Sequence, residues 1–339
     1  MSLDVSSPPL SDTLEHLGEP FAAGFMRAPD ASMVERFANG LLAWARVLPL
    51  DPYDGGLLYP STGSIWKPWD MAVGWYYVSA TSLNREVFER KLADADEEGR
   101  EALRDLERAW TSHVFPAGYT HSIPHYERVL SEGLDGFAAR VDAGLDRAHQ
   151  QEDLPRAAFY RAMLTTLDIA RTLHERFVAE IERFEPAGSV QSGNRAALLD
   201  AYRRVPFSPP ESFFEASVAT NFAFYLDGCD DLGRYDQYLF PFYRASVEAG
   251  ELTHDRAVEL IHAQWRNVDA AYGWNVAIGG TTPDGEDLSN DLTVVCLEAA
   301  RGMRRPNLAL RLGEATRDDV WEAALDTISH GSGLPALYW

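Results

Sequence analysis

Apolar residues recur at helical spacing through most of the first 270 residues. Between residues 33 and 48 they fall on one helical face, and Pro49 ends the run. Similar spacing predicts further helices over residues 85–110, 126–149, 154–184, 196–203, 211–225, 234–248 and 255–271. By contrast, residues 1–30 are polar and interrupted by prolines, which predicts a flexible arm, and residues 50–82 and 114–124 have the composition of irregular segments.

The pattern changes after residue 271. Three short apolar runs, bounded by Gly or Pro, predict strands over residues 274–278, 307–311 and 334–338. Two helices are predicted between them, over 289–303 and 316–330, with Ser289 and Thr316 as N-caps. A strand–helix alternation implies parallel pairing with right-handed crossovers. We therefore predict an α/β fold with a mostly helical N-terminal part and a βαβαβ parallel half-sheet segment at the C-terminal end. After the arm, residues 31–339 form one incomplete barrel domain.

Composition and charge narrow the class of protein. The chain has 339 residues, of which 46% are hydrophobic, and this is enough for a large core. Its net charge of −22 argues against nucleic acid and anionic membranes as partners. The aromatic stretch at residues 65–80 contains Lys67, Pro68 and Asp70, so it is not a membrane span. Two cysteines and no leader-like N-terminal pattern predict a reducing, cytoplasmic location.

Residues 233–243 form the most informative motif, Gly-Arg-Tyr-Asp-Gln-Tyr-Leu-Phe-Pro-Phe-Tyr. It resembles the Gly-Arg-aromatic-Asp-Gln-Tyr signature of the glycyl radical enzymes, the family of pyruvate formate-lyase and the radical diol and amino-alcohol lyases. Five further segments resemble motifs of this family in the same order, at residues 121–130, 279–292, 296–299, 305–311 and 333–337. The segment at 121–130 is closest to the dehydratase and lyase branch. The resemblance covers only the N-terminal portion of such enzymes.

This resemblance implies a radical mechanism whose central residues lie beyond residue 339. In the family, a barrel of two half-sheets encloses a glycine loop that stores a radical and a cysteine loop that becomes a thiyl radical. An activase that uses S-adenosylmethionine and an iron–sulfur cluster installs the radical in the absence of oxygen. The implied function is radical cleavage or elimination of a C–O, C–N or C–C bond in a small-molecule substrate. This chain is expected to bind no cofactor and to be inactive alone, without its C-terminal half or a partner subunit.

Two interpretations of the isolated chain therefore stay open. The first is a part of an enzyme, whose partner or continuation supplies the two loops; a homodimer is also compatible with the family. The apolar residues 334–339 favour this interpretation, because a half-built sheet leaves an open edge. The second is a non-catalytic pseudoenzyme, or binding module, that retains the N-terminal fold.

Three residues are candidate substrate-binding groups. His121 matches the family position from which an imidazole reaches a substrate hydroxyl, and Cys229 and Asp230 lie where related enzymes line the pocket. The alternatives are a loop histidine with satisfied hydrogen bonds and a turn at a helix end. A metal site at His121 and His125 is disfavoured, because Pro124 breaks the helix that would place both on one face.

Three further residues with reactive or charged side chains are interpreted as structural. Cys296 falls on the apolar side of a predicted helix and is expected to be a small core residue. Arg234 and Asp236 are expected to organise a buried polar network that Arg311 can join. No catalytic residue is therefore assigned to this chain.

Overall fold

Helices make up most of the fold, and one small parallel sheet lies near the C-terminal end. The computed structural model describes residues 18–60, 75–76, 79–83, 89, 92–111, 123–227, 230–271 and 273–339. Within these ranges the labelled helices are α1 (Gly18–Met26), α2 (Met33–Ala45), α3 (Glu97–Thr111), α4 (Tyr126–Gln150), α5 (Leu154–Arg183), α6 (Ser189–Tyr202), α7 (Phe213–Leu226), α8 (Tyr235–Tyr238), α9 (Phe240–Glu248), α10 (His254–Ala270), α11 (Asp291–Ala299) and α12 (Asp318–Ser329). The strands are β1 (Trp75–Tyr76), β2 (Ser79–Leu83), β3 (Gly233–Arg234), β4 (Asn275–Gly279), β5 (Asn307–Arg311) and β6 (Ala336–Tyr338). No helix in the described ranges combines the length and apolarity needed to cross a bilayer.

The chain divides into two compact units. The first comprises Met1–Leu50, Ile65–Thr120 and Ala138–Leu173, and the second Asp51–Ser64, His121–Phe137 and His174–Trp339. The sheet β3–β6 and the residues of the glycyl-radical-like signature belong to the second unit, so the candidate site is built within that unit alone.

Helix α1 lies where the sequence predicts the end of a flexible arm. Phe21 and Phe25 on this helix are completely buried. The ring of Phe21 packs over Gly40 of α2, where an added Cβ would lie 2.5 Å from the ring carbon Cε2. Two aromatic side chains in the core give this segment the burial that a helix needs in order to persist. The prediction of an arm is therefore wrong for residues 18–26, and residues 1–17 lie outside the described part of the chain.

Helix α3 begins later than the sequence predicts. The backbone leaves the helical path at Ala95–Asp96, and α3 starts at Glu97. The Asp96 carboxylate accepts a hydrogen bond from the amide of Gly99 at 2.8 Å, which caps the new first turn. An aspartate that serves as a cap thus interrupts the single helix predicted over residues 85–110.

Helix α4 contains a break that its amphipathic pattern conceals. Gly133 has φ 64° and ψ 171° in the middle of the helix. The amides of Leu134 and Asp135, freed from the helical ladder, donate to the carbonyls of Pro206 and Phe207 at 2.9 and 3.0 Å. These bonds satisfy the backbone at the break and fix α4 to the segment that follows α6.

The sheet has four parallel strands in the order β3–β4–β5–β6. The predicted parallel pairing is confirmed, and β5 has the predicted bounds. The predicted helix over residues 234–248 is wrong at its start, because Gly233–Arg234 pairs with Val276 and Ala277 instead. Gly233 has φ 61°, a conformation that a helix does not accept, so the short strand precedes α8 and α9.

The N-caps of the two crossover helices differ from those predicted. Asn290, not Ser289, caps α11, and its side chain accepts the amides of Leu292 and Thr293. The Thr316 hydroxyl accepts the amide of Gly313 at 2.8 Å, so it holds the preceding turn and does not cap α12. Both helices nevertheless lie where the alternating pattern predicts them.

The two faces of the sheet differ in exposure. Alternate residues of β4 and β5 are almost completely buried on one side, namely Val276, Ile278, Leu308 and Leu310. The other side, called the open face below, carries small and polar residues that are half-buried or exposed, namely Asn275, Ala277, Asn307, Ala309, Arg311 and Tyr338. The Asn307 side chain donates to the Asn275 side chain at 2.6 Å across the strands. A polar, accessible face of this kind is a surface on which a ligand or another segment can bind.

Candidate functional site

Asp236 is the centre of the signature motif. Its carboxylate is completely buried and accepts the amide of Gly279 at 2.8 Å and the hydroxyl of Thr293 at 2.5 Å. The side chain of Asn290 donates to the Asp236 carbonyl at 3.2 Å. The side-chain amide of Gln237 donates to the Leu288 carbonyl at 3.0 Å. One aspartate therefore joins α8 to the end of β4 and to the start of α11.

Burial changes the acidity of this carboxyl group. Burial raises the pKa of Asp236 from 3.8 to about 6, although hydrogen bonds from Thr293 and Gly279 and the charge of Arg234 oppose the rise. The second carboxylate oxygen, Oδ1, has no hydrogen-bond partner in the described structure. The carboxyl group is held by its neighbours, and its raised pKa makes it a weaker acid than an exposed aspartate, as expected of a structural acid in a core.

Arg234 and Arg311 lie at the carboxyl ends of β3 and β5, on either side of β4. The Arg234 guanidinium donates to the Gly279 carbonyl at 3.2 Å. Arg311 pairs in register with Gly279, and its carbonyl accepts the amide of Gly280 at 2.8 Å. Both side chains are exposed and approach Gly280. The expected buried network is therefore present around Asp236, whereas Arg234 is exposed and reaches it through the Gly279 carbonyl. Arg311 borders the network without bonding to the Asp236 carboxylate.

The segment that begins α4 contacts the signature motif. The Tyr126 hydroxyl donates to the Asp231 carbonyl at 3.0 Å, and the Tyr126 ring stacks on that of Tyr238 with centroids 5.0 Å apart. The side chain of Ile123 lies over Gly233, within 2.9 Å of the position of an added Cβ. These contacts place residues 123–126 next to residues 231–238.

Of the three candidate substrate-binding residues, Asp230 lies in the described part of the chain. It is 8% exposed, and its carbonyl accepts the amide of Trp274 at 2.7 Å. His121 and Cys229 lie outside the described residues. The grouping of the three thus stays a prediction. The described residues contain no cluster of His, Cys, Asp or Glu suited to hold a metal ion.

Comparison with known proteins identifies the family. The family model described as pyruvate formate lyase-like matches residues 75–339. The chain belongs to the pyruvate formate lyase-like family. An isethionate sulfite-lyase from Oleidesulfovibrio alaskensis is 28% identical over 244 residues, which cover 62% of this chain and 29% of the relative. A (2S)-3-sulfopropanediol dehydratase from Klebsiella oxytoca is 26% identical over 253 residues, which cover 66% of this chain and 30% of the relative.

Solved structures of glycyl radical enzymes share the fold of this family member. A glycyl radical enzyme from Archaeoglobus fulgidus matches with a TM-score of 0.74 at 18% identity, over 97% of this chain and 49% of that chain. The glycerol dehydratase from Clostridium butyricum matches with a TM-score of 0.72 at 18% identity, over 95% of this chain and 48% of that chain. The resemblance to the N-terminal portion of glycyl radical enzymes is thus confirmed, and the chain spans about half the length of these structures.

Cys296 of this pyruvate formate lyase-like chain is a core residue, as predicted. It is completely buried in α11, and burial raises the pKa of its thiol well above the usual value. Its carbonyl accepts the indole N–H of Trp265, which is also fully buried. A protonated thiol without solvent access is chemically inert.

Thr293 is the member of the Asp236 network that sequence reasoning missed. Its hydroxyl donates to Asp236 and its position is fixed by a capping box with Asn290. The sequence carried part of the signal, since Asn is a common N-cap, but the residue three positions later is Thr and not the usual Glu or Gln. The family resemblance had drawn attention to the Asn but not to the Thr.

Proposed function

We propose that this chain is the N-terminal part of a glycyl radical enzyme that removes a group from a small polar substrate by radical elimination. The named activities of its relatives support this reaction class, since they include a sulfite-lyase, a dehydratase and, in Clostridioides difficile, the glycyl radical subunit of a 4-hydroxyphenylacetate decarboxylase. Each removes a group from a small molecule. The complete protein is expected to act in an oxygen-free cytoplasm.

One observation carries the proposal. Solved enzymes of this fold match 95–97% of the chain but only 48–50% of their own length. The open face of the sheet is the surface on which the remaining half of a barrel would fit, because its side chains are accessible and, apart from Tyr338, small or polar. We infer that a C-terminal half, on the same polypeptide or on a partner subunit, completes the barrel over this face.

The chain alone is proposed to be inactive. The sequence has two cysteines, and Cys296 is fully buried in a helix, where it reaches no substrate. Cys229 is followed by Asp230 and Asp231, and nearby carboxylates disfavour a thiolate. We therefore assign the reactive cysteine and the radical glycine to the C-terminal half. A glycyl radical, installed there by an activase, would supply the hydrogen-abstracting chemistry, while this chain binds and orients the substrate.

His121, Cys229 and Asp230 are proposed to contact the substrate. The contacts of Ile123 with Gly233, and of Tyr126 with Asp231, support a common location for the two segments. At neutral pH an imidazole can donate a hydrogen bond to a substrate hydroxyl or accept one from it, and a carboxylate can accept one from it.

Reconstitution tests the reaction class. The chain of residues 1–339 is compared with the same chain completed by the polypeptide encoded after codon 339, both under anaerobic conditions with the activase. Isethionate, 3-sulfopropanediol and glycerol are offered as substrates, and released sulfite and aldehyde are measured. Turnover is expected only with the completed protein. Turnover by residues 1–339 alone, or none by a completed protein that carries a radical, would refute the proposal.

In the reconstituted enzyme, His121→Gln is expected to lower kcat/KM by on the order of 100-fold, because a buried substrate hydroxyl loses its partner. The matched control is His125→Gln. The His125 side chain is 60% exposed beside Glu127, so its replacement should change kcat/KM by less than about twofold. Equal effects of both substitutions would remove His121 from the substrate site without affecting the proposed reaction class.

A further inference from the structure

Two arginine side chains converge at the carboxyl edge of the parallel sheet. Arg234 ends β3 and Arg311 ends β5, while the end of β4 between them consists of Gly279 followed by Gly280. The carboxyl ends of parallel strands are where α/β sheets usually bind ligands. The pair therefore lies at the edge of the open face where a ligand is expected on general grounds.

The backbone leaves a space between the two guanidinium groups. A Cβ placed on Gly280 would lie 3.5 Å from Nη2 of Arg234 and 3.8 Å from Nη1 of Arg311. Both distances are within the range of an ion pair. Gly279 and Gly280 have φ 65° and 109°, so the chain conformation itself calls for residues without side chains here. Any residue other than glycine at position 280 would place its Cβ in this space. Because Gly280 leaves the space empty, one atom of a ligand can occupy it and contact both guanidinium groups.

No carboxylate in the described part of the chain contacts either guanidinium group directly. This holds although the sequence has 52 acidic and 30 basic residues. The hydrogen bond from Arg234 goes to the Gly279 carbonyl. The nearest acid of the network, Asp236, is buried and already bonded to Gly279 and Thr293. Two adjacent cations that no carboxylate contacts directly attract a small anion that can contact both.

We propose that Arg234 and Arg311 bind a small oxyanion, a carboxylate or sulfonate group, over Gly280. Guanidinium groups match the planar or tetrahedral oxygens of such anions and remain charged at every physiological pH. The hydrogen bond to Gly279 holds the Arg234 guanidinium in place before the anion arrives. The site is formed by the second unit alone, so it does not depend on the proposed radical chemistry.

Binding to the purified chain of residues 1–339 tests the proposal. Sodium methanesulfonate and sodium acetate are titrated against sodium chloride at equal ionic strength, with calorimetry and thermal unfolding as readouts. We expect saturable binding and a raised Tm. Arg311→Gln is expected to weaken binding at least about tenfold. Arg311→Lys keeps the positive charge but not the two parallel N–H donors of the guanidinium group, so it should weaken binding less. Arg311 is the better position to change, because Arg234 also contacts Gly279.

Arg266→Gln is the matched control. Arg266 is exposed on α10 in the same unit, and its removal changes the net charge equally. It should leave both affinities unchanged. The proposal is overturned if the wild-type chain gives no saturable response to either anion. It is also overturned if Arg311→Gln, with an unchanged Tm in chloride, binds as tightly as the wild type, or if Arg266→Gln weakens binding equally.

Discussion

Replacing Gly133 by alanine is expected to destabilise the second unit by about 4 kcal/mol or more. An added Cβ would lie 2.1 Å from the Phe207 carbonyl oxygen, which is backbone and is held by the amide of Asp135. The dihedral angles of φ 64° and ψ 171° are also in a region that is essentially restricted to glycine. Steric overlap and backbone strain thus act together. Urea unfolding followed by tryptophan fluorescence measures the effect.

Gly193→Ala is the control for this substitution. Gly193 lies inside α6, and apart from its chain neighbours and the backbone of its own helix no heavy atom is within 4 Å of the position of its added Cβ. Alanine there should stabilise the helix by up to about 1 kcal/mol. If Gly133→Ala were as stable as the wild type, the break in α4 and its bonds to Pro206 and Phe207 would not exist in solution.

Removing the Asp236 carboxylate is the second change with a large expected effect. Asp236→Ala leaves the Gly279 amide and the Thr293 hydroxyl without an acceptor in a buried site. The expected loss in the free energy of unfolding is about 3 to 5 kcal/mol. Asp284→Ala, in an exposed turn of the same unit, should change it by less than about 0.5 kcal/mol. Equal losses from both substitutions would contradict the described network.

The same carboxyl group predicts a pH dependence. Because burial raises its pKa from 3.8 to about 6, the folded chain binds the proton more tightly than the unfolded chain. Its contribution to stability is complete below pH 3.8 and is lost as the pH rises through 6. The difference in unfolding free energy between the wild type and Asp236→Asn should therefore shift by about 2 kcal/mol, against the wild type, from pH 4 to pH 7. A difference that does not change with pH would contradict the buried carboxyl group.

The parallel sheet was predictable from the sequence because its strands are short apolar runs between Gly and Pro, separated by helices. Residues 307–311 form β5 as predicted. The strand at Gly233–Arg234 was not predictable, since two residues carry no alternation and the helical spacing of the residues that follow begins directly after them. The break at Gly133 was hidden for a different reason. Its cause is the Phe207 carbonyl, a partner that is distant along the chain.

The candidate site could likewise be predicted from the sequence only in part. The motif at residues 233–238 identified Asp236 as part of a buried network, and the structure confirms this assignment. The sequence did not show that Arg234 and Arg311 approach the same glycine, because the order of strands in the sheet places β4 between them. Local patterns predict elements, whereas the convergence of distant residues depends on topology.

We propose that this chain works as one half of a radical enzyme. The most direct test is to purify the natural protein without oxygen through a tag at its N-terminus, treat it with the activase, and record its intact mass and electron paramagnetic resonance spectrum. The account predicts further polypeptide, covalently or tightly bound, and a glycine-centred radical located outside residues 1–339. A lone product of 37.8 kDa without a radical would contradict it.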